Sequence, residues 1–154
     1  MKVIERRIST LSKSDMRYLM KAKEIAMKSD YKRAHVGCVA VYQGHIIGSA
    51  SNRNKTHPIQ KKYNINRVSN NEDLQVIEPK VHAEIACLCS ISDIDKTIKW
   101  NRVKLYVYRP CKSKAHGMAR PCSACMDAIK TKGIRDIYYT TDDGIAYERL
   151  DYDE

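Results

Sequence analysis

Two short stretches, His82-Ala83-Glu84 and Pro121-Cys122-Ser123-Ala124-Cys125, decide how the chain is read. Each opens an apolar run that reads as a helix, over residues 81–91 and 122–132. Together they supply one imidazole, two thiolates and one carboxylate. His82, Cys122 and Cys125 would fill three corners of a tetrahedral Zn²⁺ site and leave the fourth for water, which is the ligand count of a catalytic centre. The i, i+3 spacing of the cysteines puts both sulfurs on one helical face. Glu84, two residues after His82, is placed to handle the protons of that water. A closed structural centre would need a fourth protein ligand, for which His116, Cys111, Cys87 and Cys89 are the soft candidates. A thioredoxin-like redox pair is disfavoured, because no strand of the expected pattern directly precedes Cys122.

The regions on either side complete an α/β pattern. Residues 14–30 repeat apolar side chains at three and four, with Met16, Leu19, Met20, Ala22, Ile25, Ala26 and Met27 on the expected core face and Ser12 or Ser14 as N-cap. Residues 36–42 and 45–50 are apolar runs joined by Gln43-Gly44, a link of hairpin type. Residues 52–79 read as one long polar loop, stopped at Pro79. Residues 103–108 and 134–140 are strands, Gly133 caps the preceding helix, and Asp142-Asp143-Gly144 turns into a final strand at 145–150. Cys87 and Cys89 read as small buried hydrophobes. The order predicts an α/β fold, a three-layer α/β/α sandwich with one mixed sheet and helices on its faces, in a single domain spanning 1–154.

Composition narrows the setting. The net charge is +10, and the excess lies in residues 1–62, which hold 14 Lys and Arg against 4 Asp and Glu; residues 63–154 hold 14 of each. Such a field favours polyanions, nucleic acid and nucleotide phosphates among them. No run of ~18 apolar residues suggests a membrane span. The first eleven residues lack an apolar run and carry Arg6-Arg7, so no signal peptide is expected. Six cysteines without an export signal suggest thiols or metal ligands in a reducing, cytoplasmic setting.

H-x-E followed by P-C-x-x-C is the signature of zinc nucleobase deaminases, and here the chain resembles the cytidine/deoxycytidylate deaminase superfamily. The likeness covers roughly residues 15–150. It includes His35-Val36-Gly37-Cys38-Val39-Ala40-Val41 and Ile46-Ile47-Gly48-Ser49-Ala50-Ser51-Asn52, similar to the strand pair of cytidine, deoxycytidylate and tRNA adenosine deaminases. The resemblance implies a cytidine deaminase-like fold, a Zn²⁺ cofactor and a homo-oligomer. It also implies hydrolytic deamination of a cytosine base in cytidine, deoxycytidine, CMP or dCMP. Glu84 would carry protons from the water to the ring and the leaving ammonia, Asn52 would meet the sugar, and the backbone N–H of Ala83 would hold the base. The segment before His82 is longer and more basic than in compact nucleoside deaminases, so Lys55 and His57, with Lys61 and Lys62, are candidate phosphate contacts. The expected antiparallel return after residue 144 matches free cytidine deaminases instead. Two other readings stay open. One is deamination of cytosine or adenine in single-stranded DNA or RNA, with Tyr31, Tyr42, Tyr63, Tyr106, Tyr108 and Trp100 available for stacking. The other is a non-catalytic zinc-stabilised module that binds nucleic acid.

Overall fold

The computed structural model describes residues 2–8, 11–31, 34–55, 57–69, 81–91, 96–113 and 116–151. Its elements in chain order are β1 (Lys2–Ile8), α1 (Lys13–Ala26), β2 (Gly37–Tyr42), β3 (His45–Ser51), α2 (Pro58–Ser69), α3 (Ala83–Ser90), β4 (Lys104–Tyr108), α4 (Ser123–Lys132), β5 (Asp136–Thr140) and β6 (Ile145–Asp151). The strands form one sheet in the order β1-β6-β5-β4-β2-β3. Only β4 and β5 run parallel, and the chain between them contributes α4, as a parallel crossover requires. The remaining pairs are antiparallel, including the expected return of β6 along β5.

Alternation along the strands divides the core in two. Val39, Val41, Tyr106, Tyr108, Tyr138 and Tyr147 pack with Tyr18 and Leu19 of α1 on one face. Cys38, Ala40, Leu105, Val107, Ile137 and Tyr139 pack with α3 and α4 on the other. The result is the three-layer α/β/α sandwich, its mixed sheet six strands wide.

The β2–β3 hairpin turns through Gln43 (φ 51°) and Gly44 (φ 77°), both left-handed, the pairing that suits a two-residue hairpin. Ser12 caps α1 by accepting from the N–H of Asp15 at 3.0 Å. The methionines correct the expected core face: Met16 and Met20 of α1, and Met27 just past its end, are 42%, 41% and 62% exposed. The buried face is Tyr18, Leu19, Ala22 and Ala26. The reason lies on β2, where a Cβ on Gly37 would stand 2.1 Å from the carbonyl oxygen of Ala22. Helix and strand backbones approach so closely that alanine fits the seam and methionine does not.

The region read as a long loop contains α2, a correction with a local cause. His57 accepts from the N–H of Ile59 through Nδ1, and Pro58 takes the first helical position, where its missing N–H is harmless. Residues 70–80, with Pro79, lie outside the described residues. β1 adds a strand that the sequence pattern does not signal, at the sheet edge against β6. Cys87 is buried as expected, but Cys89 is exposed, because α3 turns it away from the sheet. Among the described residues no helix is long and apolar enough to cross a membrane.

Candidate metal centre and catalytic cavity

α3 and α4 begin at the same place. His82 is the N-cap of α3 (φ −74°, ψ 150°) and Cys122 the N-cap of α4 (φ −70°, ψ 173°). Neither side chain makes a capping hydrogen bond, so ring and thiol are turned toward each other. Nδ1 of His82 lies 3.2 Å from Sγ of Cys125 and 3.5 Å from Sγ of Cys122. All three ligand atoms fall within 4.8 Å of one another. A tetrahedral ion with bonds of about 2.0–2.3 Å needs N···S edges of roughly 3.5 Å, so the donors fit zinc with Nδ1 as the imidazole ligand. No other group of three metal-ligating side chains occurs among the described residues. His116 instead donates through Nδ1 to the Thr141 carbonyl at 2.6 Å, and Cys111 Sγ lies 3.4 Å from Ser113 Oγ.

Electrostatics differ sharply across the cluster in the absence of metal. A hydrogen bond from Cys125 brings the Cys122 thiol down to about 4, against the effect of burial, and His82 adds to the lowering. Burial pushes Cys125 well above its ordinary value, with the bond to Cys122 and the nearby Glu84 adding to the rise. Glu84 is 6% exposed. Burial raises its carboxyl above the usual carboxylate range, although His82 pulls the other way.

A cavity of about 190 Å³ opens at this cluster, with Asn52, His82, Glu84, Cys122, Arg109 and Arg120 in its wall. Asn52 is held there by its neighbours. Its Oδ1 accepts from Ser29 Oγ at 2.6 Å and from the Val36 N–H at 3.0 Å, and its Nδ2 donates to the Ala34 carbonyl at 2.8 Å. The second Nδ2 hydrogen has no acceptor among the described residues. Ala83 is buried as the first residue of α3, where backbone N–H groups have no partner within the helix. Lys55 and His57 are not brought to the cavity. They line a separate depression with Ala86, Cys89 and Ser90, and His57 is occupied in starting α2.

Several residues of the site had no sequence signal. Gln60 of α2, 1% exposed, accepts from the His82 N–H at 2.9 Å and so fixes the start of α3. The one clue to it was Pro58 as a helix start. Arg109 and Arg120 flank the loop before Cys122 and were visible only as unassigned cations. The tyrosines considered for base stacking are mostly interior: Tyr31, Tyr63, Tyr106 and Tyr108 are all buried. Tyr106 stacks on Tyr138 at 4.8 Å between ring centres and donates to Asp15 at 2.7 Å.

Comparison with solved structures gives the same architecture. The dCMP deaminase of cyanophage S-TIM5, in apo form, is 17% identical, with 86% of each chain covered and a TM-score of 0.54. A cytidine deaminase from Burkholderia pseudomallei is 15% identical, with 90% of this chain and 93% of that one covered and a TM-score of 0.57. At these identities the likeness shows the fold. No curated protein matches the chain by sequence. The family described as "Cytidine and deoxycytidylate deaminase zinc-binding region" matches residues 12–141, most of the chain and all of the cluster. The chain therefore belongs to the cytidine and deoxycytidylate deaminase zinc-binding family.

Proposed function

We propose that the protein, as one domain, hydrolyses the exocyclic amine of a cytosine base in a nucleoside or nucleotide. Cytosine and water give uracil and ammonia. The observation that carries this reading is the placement of Glu84. It is almost wholly buried, lines the same cavity as His82 and Cys122, and has its carboxyl raised above the usual carboxylate range by that burial. A purely structural centre has no use for such a group.

His82, Cys122 and Cys125 hold the zinc. When bound, zinc lowers the pKa of water toward ~7, so that a nucleophile is available at neutral pH. Glu84 takes the proton of the attacking water on a carboxylate oxygen. It passes it to the ring nitrogen next to the reacting carbon, then assists the amine in leaving as ammonia. The Ala83 N–H, at the positive end of α3, is set to hold the base carbonyl. The second Nδ2 hydrogen of Asn52 is set to meet a sugar oxygen.

The test is ammonia release by the zinc-loaded protein from cytidine, deoxycytidine, CMP and dCMP, with adenosine and a C-containing single-stranded oligonucleotide alongside. Turnover of at least one monomeric cytosine compound is expected. Activity confined to adenosine or to the oligonucleotide would displace this reading.

A further inference from the structure

Arg120 stands two residues before Cys122 and lines the cavity with Glu84 and His82. Its guanidinium grips Glu148 of β6 by two hydrogen bonds, Nε to Oε1 at 2.7 Å and Nη2 to Oε2 at 3.2 Å. Glu148 is 0% exposed. Its Oε1 also accepts from the Tyr139 hydroxyl of β5 at 2.5 Å. A carboxylate this deep persists only when paired, and a two-point contact fixes the plane of the guanidinium as well as its position. The Arg120 side chain is nevertheless 40% exposed. Glu148 engages Nε and Nη2, so the hydrogens of Nη1 lie outside that contact.

Arg109 enters the same cavity from the other end of the loop. Its Nη1 reaches the Met118 carbonyl at 3.4 Å, and among the described residues no carboxylate pairs with it. The wall thus presents one guanidinium held rigid and one with no carboxylate partner among the described residues. At about 190 Å³ the cavity is smaller than sites that enclose a whole small ligand, roughly 300–1,000 Å³. Part of a nucleotide must remain at the mouth, and planar guanidinium forks suit a phosphate there.

We propose that Glu148 is a positioning residue: through Arg120, the last strand of the sheet holds a fixed donor fork that, with Arg109, takes the 5′-phosphate of a pyrimidine nucleotide. The proposal rests on the deaminase reading of the same cavity. It replaces Lys55 and His57 as phosphate contacts. Holding the guanidinium in place before the ligand arrives removes an ordering penalty from binding.

The experiment is equilibrium binding of dUMP and of deoxyuridine to the zinc-loaded protein, which requires no turnover. Removing the guanidinium alone would strand Glu148, so Arg120→Gln is made together with Glu148→Gln, leaving a neutral amide pair. Wild type should bind dUMP at least tenfold more tightly than deoxyuridine. The double variant should lose that preference and keep its affinity for deoxyuridine. Glu148→Gln alone should lower the preference severalfold, and Arg120→Lys, which keeps charge without the fork, should not retain it fully.

Wild type that binds the two compounds equally, or binds neither, overturns the phosphate role. Equal losses for both compounds in the variants mark the network as merely structural and also overturn it. The two readings fail separately. Ammonia release from cytidine without any dUMP preference removes the phosphate fork and leaves the deaminase. A dUMP preference without turnover of any cytosine compound does the reverse.

Discussion

His82 and Cys122 hold the same position in two different helices, each being the N-cap, and Nδ1 of one lies 3.5 Å from Sγ of the other. Two helix starts therefore meet at one point, with Cys125 one turn into the second. The positive ends of both helices face the cluster, which favours thiolate over thiol. Metal binding and the mutual placement of α3 and α4 become one equilibrium.

Cys125→Ser should lose zinc and stability together. A metal at a thousandfold above its Kd stabilises by about 4 kcal/mol, which for a chain of this size is roughly ten degrees in Tm. Wild type treated with a chelator should melt near the variant. A Cys125→Ser protein with full zinc content, by elemental analysis, would show that the ligand assignment is wrong.

Zinc loading should release about one thiol proton near neutral pH. Cys122, at about 4, is already thiolate there. Cys125, raised well above its ordinary value by burial, is still protonated and must lose its proton to bind. Affinity should thus rise about tenfold per pH unit through the neutral range. Proton release in weakly buffered solution checks this. Measured near pH 6, below the range in which zinc-bound water ionises, two protons per zinc would contradict the inequality of the two thiols.

The cluster was legible because its chemistry is local. Spacing within His82-Ala83-Glu84 and Cys122-Ser123-Ala124-Cys125 fixes which side chains share a helix start, whatever the rest of the chain does. The hairpin at Gln43-Gly44 and the cap at Gly133 were legible for the same reason, since each needs a left-handed backbone. What pairs across the sheet was not. Arg120 and Glu148 are 28 residues apart, and nothing local to either names the other. The methionines of α1 misled because periodicity finds two neighbouring apolar faces there, and the choice is made by Gly37 on another element. α2 escaped because its apolar pattern is weak and its start rests on the single Pro58.

Glu84→Gln should stabilise the metal-free protein at neutral pH. The carboxyl has a folded pKa raised by burial, so its penalty is absent below the unfolded value of about 4.3, grows as pH rises from there to the folded value, and is complete above it. The glutamine carries no such penalty. Its Tm should exceed that of wild type near pH 7–8, on a scale of roughly 2–4 °C for each ~1 kcal/mol, and the two should converge near pH 4. A constant difference across that range would show that ionisation of Glu84 is not the cause.

Gly37→Ala should destabilise by about 1–3 kcal/mol, the usual effect of overfilling a tight seam. The added Cβ would meet the Ala22 carbonyl oxygen at 2.1 Å and the Ala26 nitrogen at 2.6 Å, both backbone atoms that cannot turn aside. Urea denaturation reads this directly. An unchanged midpoint would mean that α1 sits farther from β2 than described.

The most direct test of the catalytic centre measures zinc content and the rate of ammonia release from cytosine nucleosides and nucleotides in the same samples of wild type and Glu84→Gln. We predict one zinc per chain in both, with turnover reduced by about 10²–10⁴ in the variant, the usual contribution of a positioned acid–base group. Equal turnover at equal zinc content would contradict the role of Glu84 and, with it, the reading of this cluster as a deaminase centre.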